Sequence, residues 1–222
     1  MGRMVTLEAA DGHRLNAWES EGHAHPYALV VVQEIFGVNP HIRAVCDTLA
    51  QSGFHVIAPA LFDRVEPGLE LDYTAEGVKK GLDVRARIPL EKTLLDLEAA
   101  IHALAPRKVG MIGYCWGGTL AWQVACRDMG VSAASCWYGA GIAAASALEP
   151  RCPVQMHFGG LDVTIPPADI ATIRAAHPEI ELYVYDDADH GFGCADRATF
   201  NAQAYALAQE RSLAFLKSSL NP

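Results

Sequence analysis

The sequence predicts an α/β protein with a mainly parallel central sheet, helices on both faces and an antiparallel N-terminal edge. Three observations carry that prediction. Runs such as residues 27–33 (YALVVVQ) are continuously apolar and β-branched, the pattern of strands buried on both faces. These runs alternate with segments whose apolar residues recur at helical spacing, an order that yields parallel strands joined by crossover helices. Residues 4–9 instead alternate like the first strand of a hairpin and lead to Asp11-Gly12, a turn signal.

Each element follows in order. The strand at 27–33 ends at Glu34-Ile35-Phe36-Gly37, and a helix over 40–51 begins at a proline and closes at Ser52-Gly53. A second buried strand over 54–59 (FHVIAP) completes a βαβ unit. Residues 60–87 are too long and polar for a simple connection and read as an excursion over one edge of the sheet. Helical spacing returns over 90–104, at Leu94, Leu97, Ile101 and Leu104. The alternation then resumes with strand 108–114, helix 116–128, strands 132–138 and 154–158, helix 167–176, strand 181–185 and helix 197–216. No linker or internal repeat divides the chain, so 1–222 reads as a single domain.

Composition narrows the function. With 51% hydrophobic and 19% charged residues the chain can bury a substantial core, yet no apolar run approaches the ~20 residues of a membrane span. A net charge of -9 without a basic cluster argues against nucleic acid as a partner. The start, MGRMVTLEAADG, lacks a secretory pattern, which predicts a cytoplasmic protein; its MGxxxT match to a myristoylation signal competes with the strand reading of the same residues. Cys46, Cys115, Cys126, Cys136, Cys152 and Cys194 show no CxxC spacing, and most read as buried thiols. His23 and His25 in EGHAHPY read as a solvated turn rather than metal ligands.

The chemistry concentrates in KVGMIGYCWGGTLAW, residues 108–122. Cys115 falls at the carboxyl end of a strand, where open α/β sheets bind ligands. Gly113 and Gly117 permit the tight strand-to-helix turn of a nucleophile elbow, and Gly118 adds room beside it. The helix starting at Trp116 brings partial positive charge to the sulfur, and its first N–H points where an oxyanion would form. Ile35, in the loop after an earlier strand, is placed to give the second donor.

Downstream, GGLD sets Asp162 just past one strand and DADHGF sets His190 in the loop past the next. Nucleophile, acid, base is the chain order of α/β-hydrolases. Each has a plainer reading: Cys115 as a packing residue, Asp162 as a helix cap, His190 as a solvated loop histidine. Asp186, Asp187 and Asp189 are rival acids more easily read as turn formers, and His157 reads as a core or strand-end histidine.

These residues resemble the dienelactone hydrolase, or carboxymethylenebutenolidase, family. The matching pieces are QEIFGVN at 33–39, the strand end near Pro59, DLEAAI at 96–101, GYCWGG at 113–118, GGLD at 159–162 and HGF at 190–192, in family order along nearly the whole chain. The resemblance implies an α/β-hydrolase fold with Cys115 as nucleophile, His190 as base, Asp162 as its orienting acid, and the N–H groups of Ile35 and Trp116 as the oxyanion hole. It implies that Glu34 contacts the resting thiol and helps to generate the thiolate. The implied reaction opens an enol lactone through a thioester and needs no metal or organic cofactor. Arginines would hold a substrate carboxylate: Arg197 after the histidine, and upstream Arg85, with Arg64 and Arg87 as rivals. Tyr138 and Trp137 read equally as pocket lining or packing. The family implies a monomer acting on a small molecule. Two alternatives remain, an esterase for small activated esters, which the negative charge favours, and a redox-sensing module pairing Cys115 with Cys194.

Overall fold

The computed structural model describes residues 2–21 and 27–221, so the expected turn at His23 and His25 lies outside the described residues. The chain divides into two compact units, Met1–Val109 and Gly110–Pro222.

In the first unit the strands are β1 (Arg3–Glu8), β2 (Arg14–Glu21), β3 (Tyr27–Val32) and β4 (His55–Pro59), in the order β1-β2-β4-β3. β1 and β2 are antiparallel with Leu7 opposite Leu15, β2 and β4 are antiparallel, and β3 and β4 are parallel with Leu29 opposite Val56. The first hairpin turns at Gly12, whose φ of 81° suits a residue without a Cβ. Helix α1 (Pro40–Gln51) coincides with its predicted span, and the Asn39 side chain caps it by accepting from the Ile42 N–H at 3.2 Å.

The excursion departs from the sequence reading. It contains a 3-10 turn (Leu61–Arg64) and helix α2 (Ala75–Ala86), and it closes over the loop at the carboxyl end of β3 rather than over an edge. Leu71 N–H donates to Phe36 O at 2.9 Å, and a Cβ on Gly81 would strike Ile35 O. α2 escapes a periodicity search because its buried face is Gly77, Gly81 and Val84, small residues that let the helix approach backbone. Helix α3 (Leu90–Ala103) supplies Asp96, wholly buried, which takes two 2.7 Å bonds from Arg64; that guanidinium also reaches Asp11 at 3.0 Å.

The second unit carries β5 (Lys108–Tyr114), β6 (Val131–Trp137), β7 (Val154–Gly159) and β8 (Glu181–Tyr185) in that order, with β6, β7 and β8 parallel. Helices α4 (Trp116–Ala125), α5 (Pro167–Ala176) and α6 (Ala202–Leu220) accompany them. α4 stops three residues before its predicted end, where Ala125 O turns to Arg151 N–H at 2.7 Å. α6 starts five residues later than predicted, at an Asn201 cap, because residues 191–200 are taken up by consecutive turns. His157 is a core residue: its Nδ1 meets Tyr185 Oη and its Nε2 meets Gln155 Oε1 and Ser212 Oγ, each at 2.9 Å. Burial, with Arg211 nearby, pushes its pKa down to about 3, so it stays neutral. Among the described residues, no helix is long and apolar enough to cross a membrane.

Candidate active site

Cys115 sits between the end of β5 and the start of α4, at φ 56° and ψ -116°. A non-glycine residue pays for positive φ with about 1–3 kcal/mol, so surrounding structure must enforce it. Two close approaches do so. A Cβ on Gly113 would collide with Gly117 O and lie 2.9 Å from Gly118 N, and a Cβ on Gly118 would collide with Trp137 O. Trp137 O also accepts the Cys115 N–H at 3.0 Å, which ties the turn to the end of β6. The cysteine is half-buried, and Trp116 begins α4 directly after it.

The second unit brings Asp162 and His190 to this sulfur. His190 Nδ1 lies 2.7 Å from Asp162 Oδ2, and Cys115 is near enough to act on the same imidazole's charge. Burial opposes charge on His190, but the hydrogen bond to Asp162, followed by the influence of Cys115, outweighs it and pushes the pKa up to about 10. Burial likewise opposes charge on Asp162, 3% exposed, yet the His190 bond and two from Thr164 hold its carboxyl below the usual range. The histidine loop is pinned by Thr199 Oγ1, which donates to His190 O at 2.8 Å, and by Asp189 Oδ1, which accepts the His190 N–H at 2.6 Å. Tyr138, wholly buried at φ 36°, packs its ring edge-on to His190 at 5.2 Å. Both Tyr138 and Trp137 are thus packing residues in this structure, without exposed surface.

The remaining predicted residues fall as follows. Arg197 lies across Gly191, with Cζ 2.6 Å from where a Cβ on that glycine would be, so it folds back beside His190. Cys194 is buried, and neither it nor Cys115 forms a disulfide. In the first unit, Glu34 follows β3 and is wholly buried, with Tyr73 Oη donating to its Oε2 at 3.0 Å. Asn39 Nδ2 donates to the same phenol oxygen at 3.2 Å. Ile35 is 7% exposed, next in line. Arg85 is exposed in the last turn of α2, Arg87 pairs loosely with Asp83 at 3.7 Å, and Arg64 is committed to Asp96 and Asp11. Sequence reasoning missed Thr164 and Tyr73. The D-x-T spacing of Asp162 and Thr164 offered a signal for the first, since such hydroxyls bond the carboxylate two residues back; nothing local marked the second.

A cysteine on a strand-to-helix elbow, served by a histidine and an acid from successive later strands of an α/β fold, defines a hydrolase of the α/β type. The comparisons narrow the class. A family model described as the dienelactone hydrolase family matches residues 17–220, a span running through both units. The carboxymethylenebutenolidase of Pseudomonas putida is 33% identical over 224 residues, covering 96% of this chain and 94% of its own. A Klebsiella pneumoniae protein provisionally named a dienelactone hydrolase superposes with a TM-score of 0.83 at 27% identity, over 97% of this chain and 98% of that one. The dienelactone hydrolase of Anabaena variabilis shares the fold, with a TM-score of 0.71 at 18% identity over 100% and 99% of the two chains. The chain belongs to the dienelactone hydrolase family and is an enzyme, a hydrolase.

Proposed function

We propose that this enzyme opens a dienelactone-type enol lactone by cysteine catalysis. The observation that carries the reading is that His190, bonded to Asp162 at 2.7 Å, has the elbow cysteine Cys115 as its other influence toward the charged form. His190 takes the thiol proton, and the Cys115 sulfur attacks the lactone carbonyl. The oxyanion is met by the N–H groups of Trp116 and Ile35. The ring C–O bond breaks, the departing enolate oxygen receives the proton from His190, and a thioester remains. Water, losing a proton to His190, hydrolyses it and returns the thiol.

A histidine that holds its proton as firmly as His190 can keep it while the sulfur attacks. Glu34, buried after β3, serves in this reading as the group that contacts the thiol and assists its ionisation. Arg197, folded beside His190, is the candidate for gripping a substrate carboxylate, and Arg85, exposed on α2, is the weaker one. No metal or organic cofactor takes part in any step. The enzyme acts as a cytoplasmic, single-domain monomer.

The test is the ultraviolet decay of a carboxylated dienelactone with the wild-type protein, beside Cys115→Ala and beside 4-nitrophenyl acetate. Fast loss of the dienelactone that vanishes in Cys115→Ala is expected, with slower ester cleavage. Cleavage of the ester alone would replace the lactonase reading with an esterase. Undiminished turnover by Cys115→Ala would remove the cysteine from the mechanism.

A further inference from the structure

The geometry points to Thr164 as a positioning residue that helps to fix which nitrogen of His190 exchanges its proton, an inference that rests on the proposed Cys115, His190 and Asp162 chemistry. Thr164 Oγ1 carries one, and it goes to Asp162 Oδ1 at 2.6 Å. The same oxygen lies 3.2 Å from His190 Nδ1. With its proton spent, a hydroxyl can only accept there. Asp162 Oδ2, a carboxylate oxygen at 2.7 Å, also only accepts, so both neighbours require Nδ1 as donor and Thr164 reinforces the tautomer that the carboxylate sets. The proton that comes and goes is left to Nε2.

Thr164 also aims the carboxylate. Its backbone N–H reaches Asp162 Oδ1 at 2.8 Å, so two donors from one residue hold that oxygen and leave Oδ2 facing the imidazole. The N–H survives any side-chain substitution, whereas the hydroxyl does not. Without the hydroxyl the carboxylate can turn about its bond to Cβ, and Nδ1 loses both the second acceptor and the fixed first one. Thr164 is itself exposed, so water can reach Oδ1 in Thr164→Ala, while the extra methyl of Thr164→Val keeps it out. Valine is therefore the severe variant and alanine the mild one.

The experiment measures kcat and KM for 4-nitrophenyl acetate together with an imidazole ¹⁵N NMR titration of the wild-type protein. Thr164→Val is expected to lower kcat by roughly tenfold with KM within about twofold, and Thr164→Ser to restore the rate. In an Asp162→Asn background, Thr164→Val should add less than about twofold, because its effect passes through Asp162. In the titration, Nε2 should change with pH while Nδ1 keeps its hydrogen. Unchanged kcat in Thr164→Val, a full multiplied loss in the double variant, or titration at Nδ1 would each overturn the inference. If Thr164→Val fails to fold, Thr164→Ala takes its place, and a kcat there equal to that of the wild type would overturn the inference. An Asp162→Asn variant with undiminished rate would instead refute the proposed triad itself, and Thr164 with it.

Discussion

Gly118→Ala tests how the cysteine turn is held. An ideal Cβ at this position would collide with Trp137 O and lie 3.1 Å from both Trp137 C and Trp137 N, all backbone atoms that no rotamer change can move. Overpacking of this kind costs about 1–3 kcal/mol. Trp137 O also accepts the Cys115 N–H at 3.0 Å, so pushing it aside strains a hydrogen bond worth about 1 kcal/mol. Alanine in place of glycine within α4 returns at most about 1 kcal/mol. The net loss is about 1–3 kcal/mol, a fall in Tm of roughly 2–12 °C for a chain of this size. Activity should fall further than stability, by about a hundredfold, since an ångström of misplacement at the reacting atom costs that much. The control is Gly68→Ala, where φ is 73° but nothing lies within 4 Å of the added Cβ. That variant should lose about 1 kcal/mol of stability through backbone strain and keep its rate. Thermal melts and kcat on both proteins decide. If Gly118→Ala melts with the wild type and keeps its rate within twofold, the contact with Trp137 does not hold the turn.

Two further outcomes follow from charge. Arg64→Ala strips the cation from wholly buried Asp96 and should cost about 3–5 kcal/mol in urea unfolding; Asp96→Asn should cost less, since Arg64 keeps Asp11, and equal losses would refute that account. His190 has a folded pKa of about 10 against an ordinary 6.5, so its contribution to stability is complete below about pH 6.5 and is lost as pH rises through 10. Unfolding curves across that window should decline in the wild type and flatten in His190→Ala; a parallel decline in both would show that His190 is not the group responsible.

What the sequence revealed, and what it hid, divides along the range of the interactions involved. The strands at 108–114 and 181–185 and the helices at 40–51 and 167–176 agree with their predicted bounds; the first strand is marked by burial on both faces and the helices by proline starts, whereas the second strand is an only partly buried edge. The cysteine turn was legible for the same reason: Gly113, Gly117 and Gly118 surround Cys115 within five residues. α2 was not, since Gly77 and Gly81 are helix-poor residues, and the use of Gly81, close approach to Ile35 O in the loop after β3, depends on chain some forty residues earlier. The true start of α6 was hidden by turns whose bonds, such as Asn201 N–H to Phe192 O at 3.1 Å, mimic no periodic pattern.

The three buried carboxylates show why local pattern suggests a role but not its nature. Glu34, Asp96 and Asp162 are each at most 3% exposed, and each occupies a segment that matches the family. With burial common to all three, the partner determines what each can do. Asp96 faces a guanidinium 32 residues away in a two-pronged bond, a fixed ion pair that staples the excursion to α3 and has no proton to exchange. Asp162 faces an imidazole, a partner whose second proton can come and go, here held up to about pH 10 by that very contact. Glu34 takes a phenol among its partners, and that phenol is itself held by the residue capping α1. A fixed cation makes a carboxylate structural, whereas a titratable partner makes it available to chemistry. That distinction supports assigning Asp162, and not the equally buried Asp96, to the reacting site.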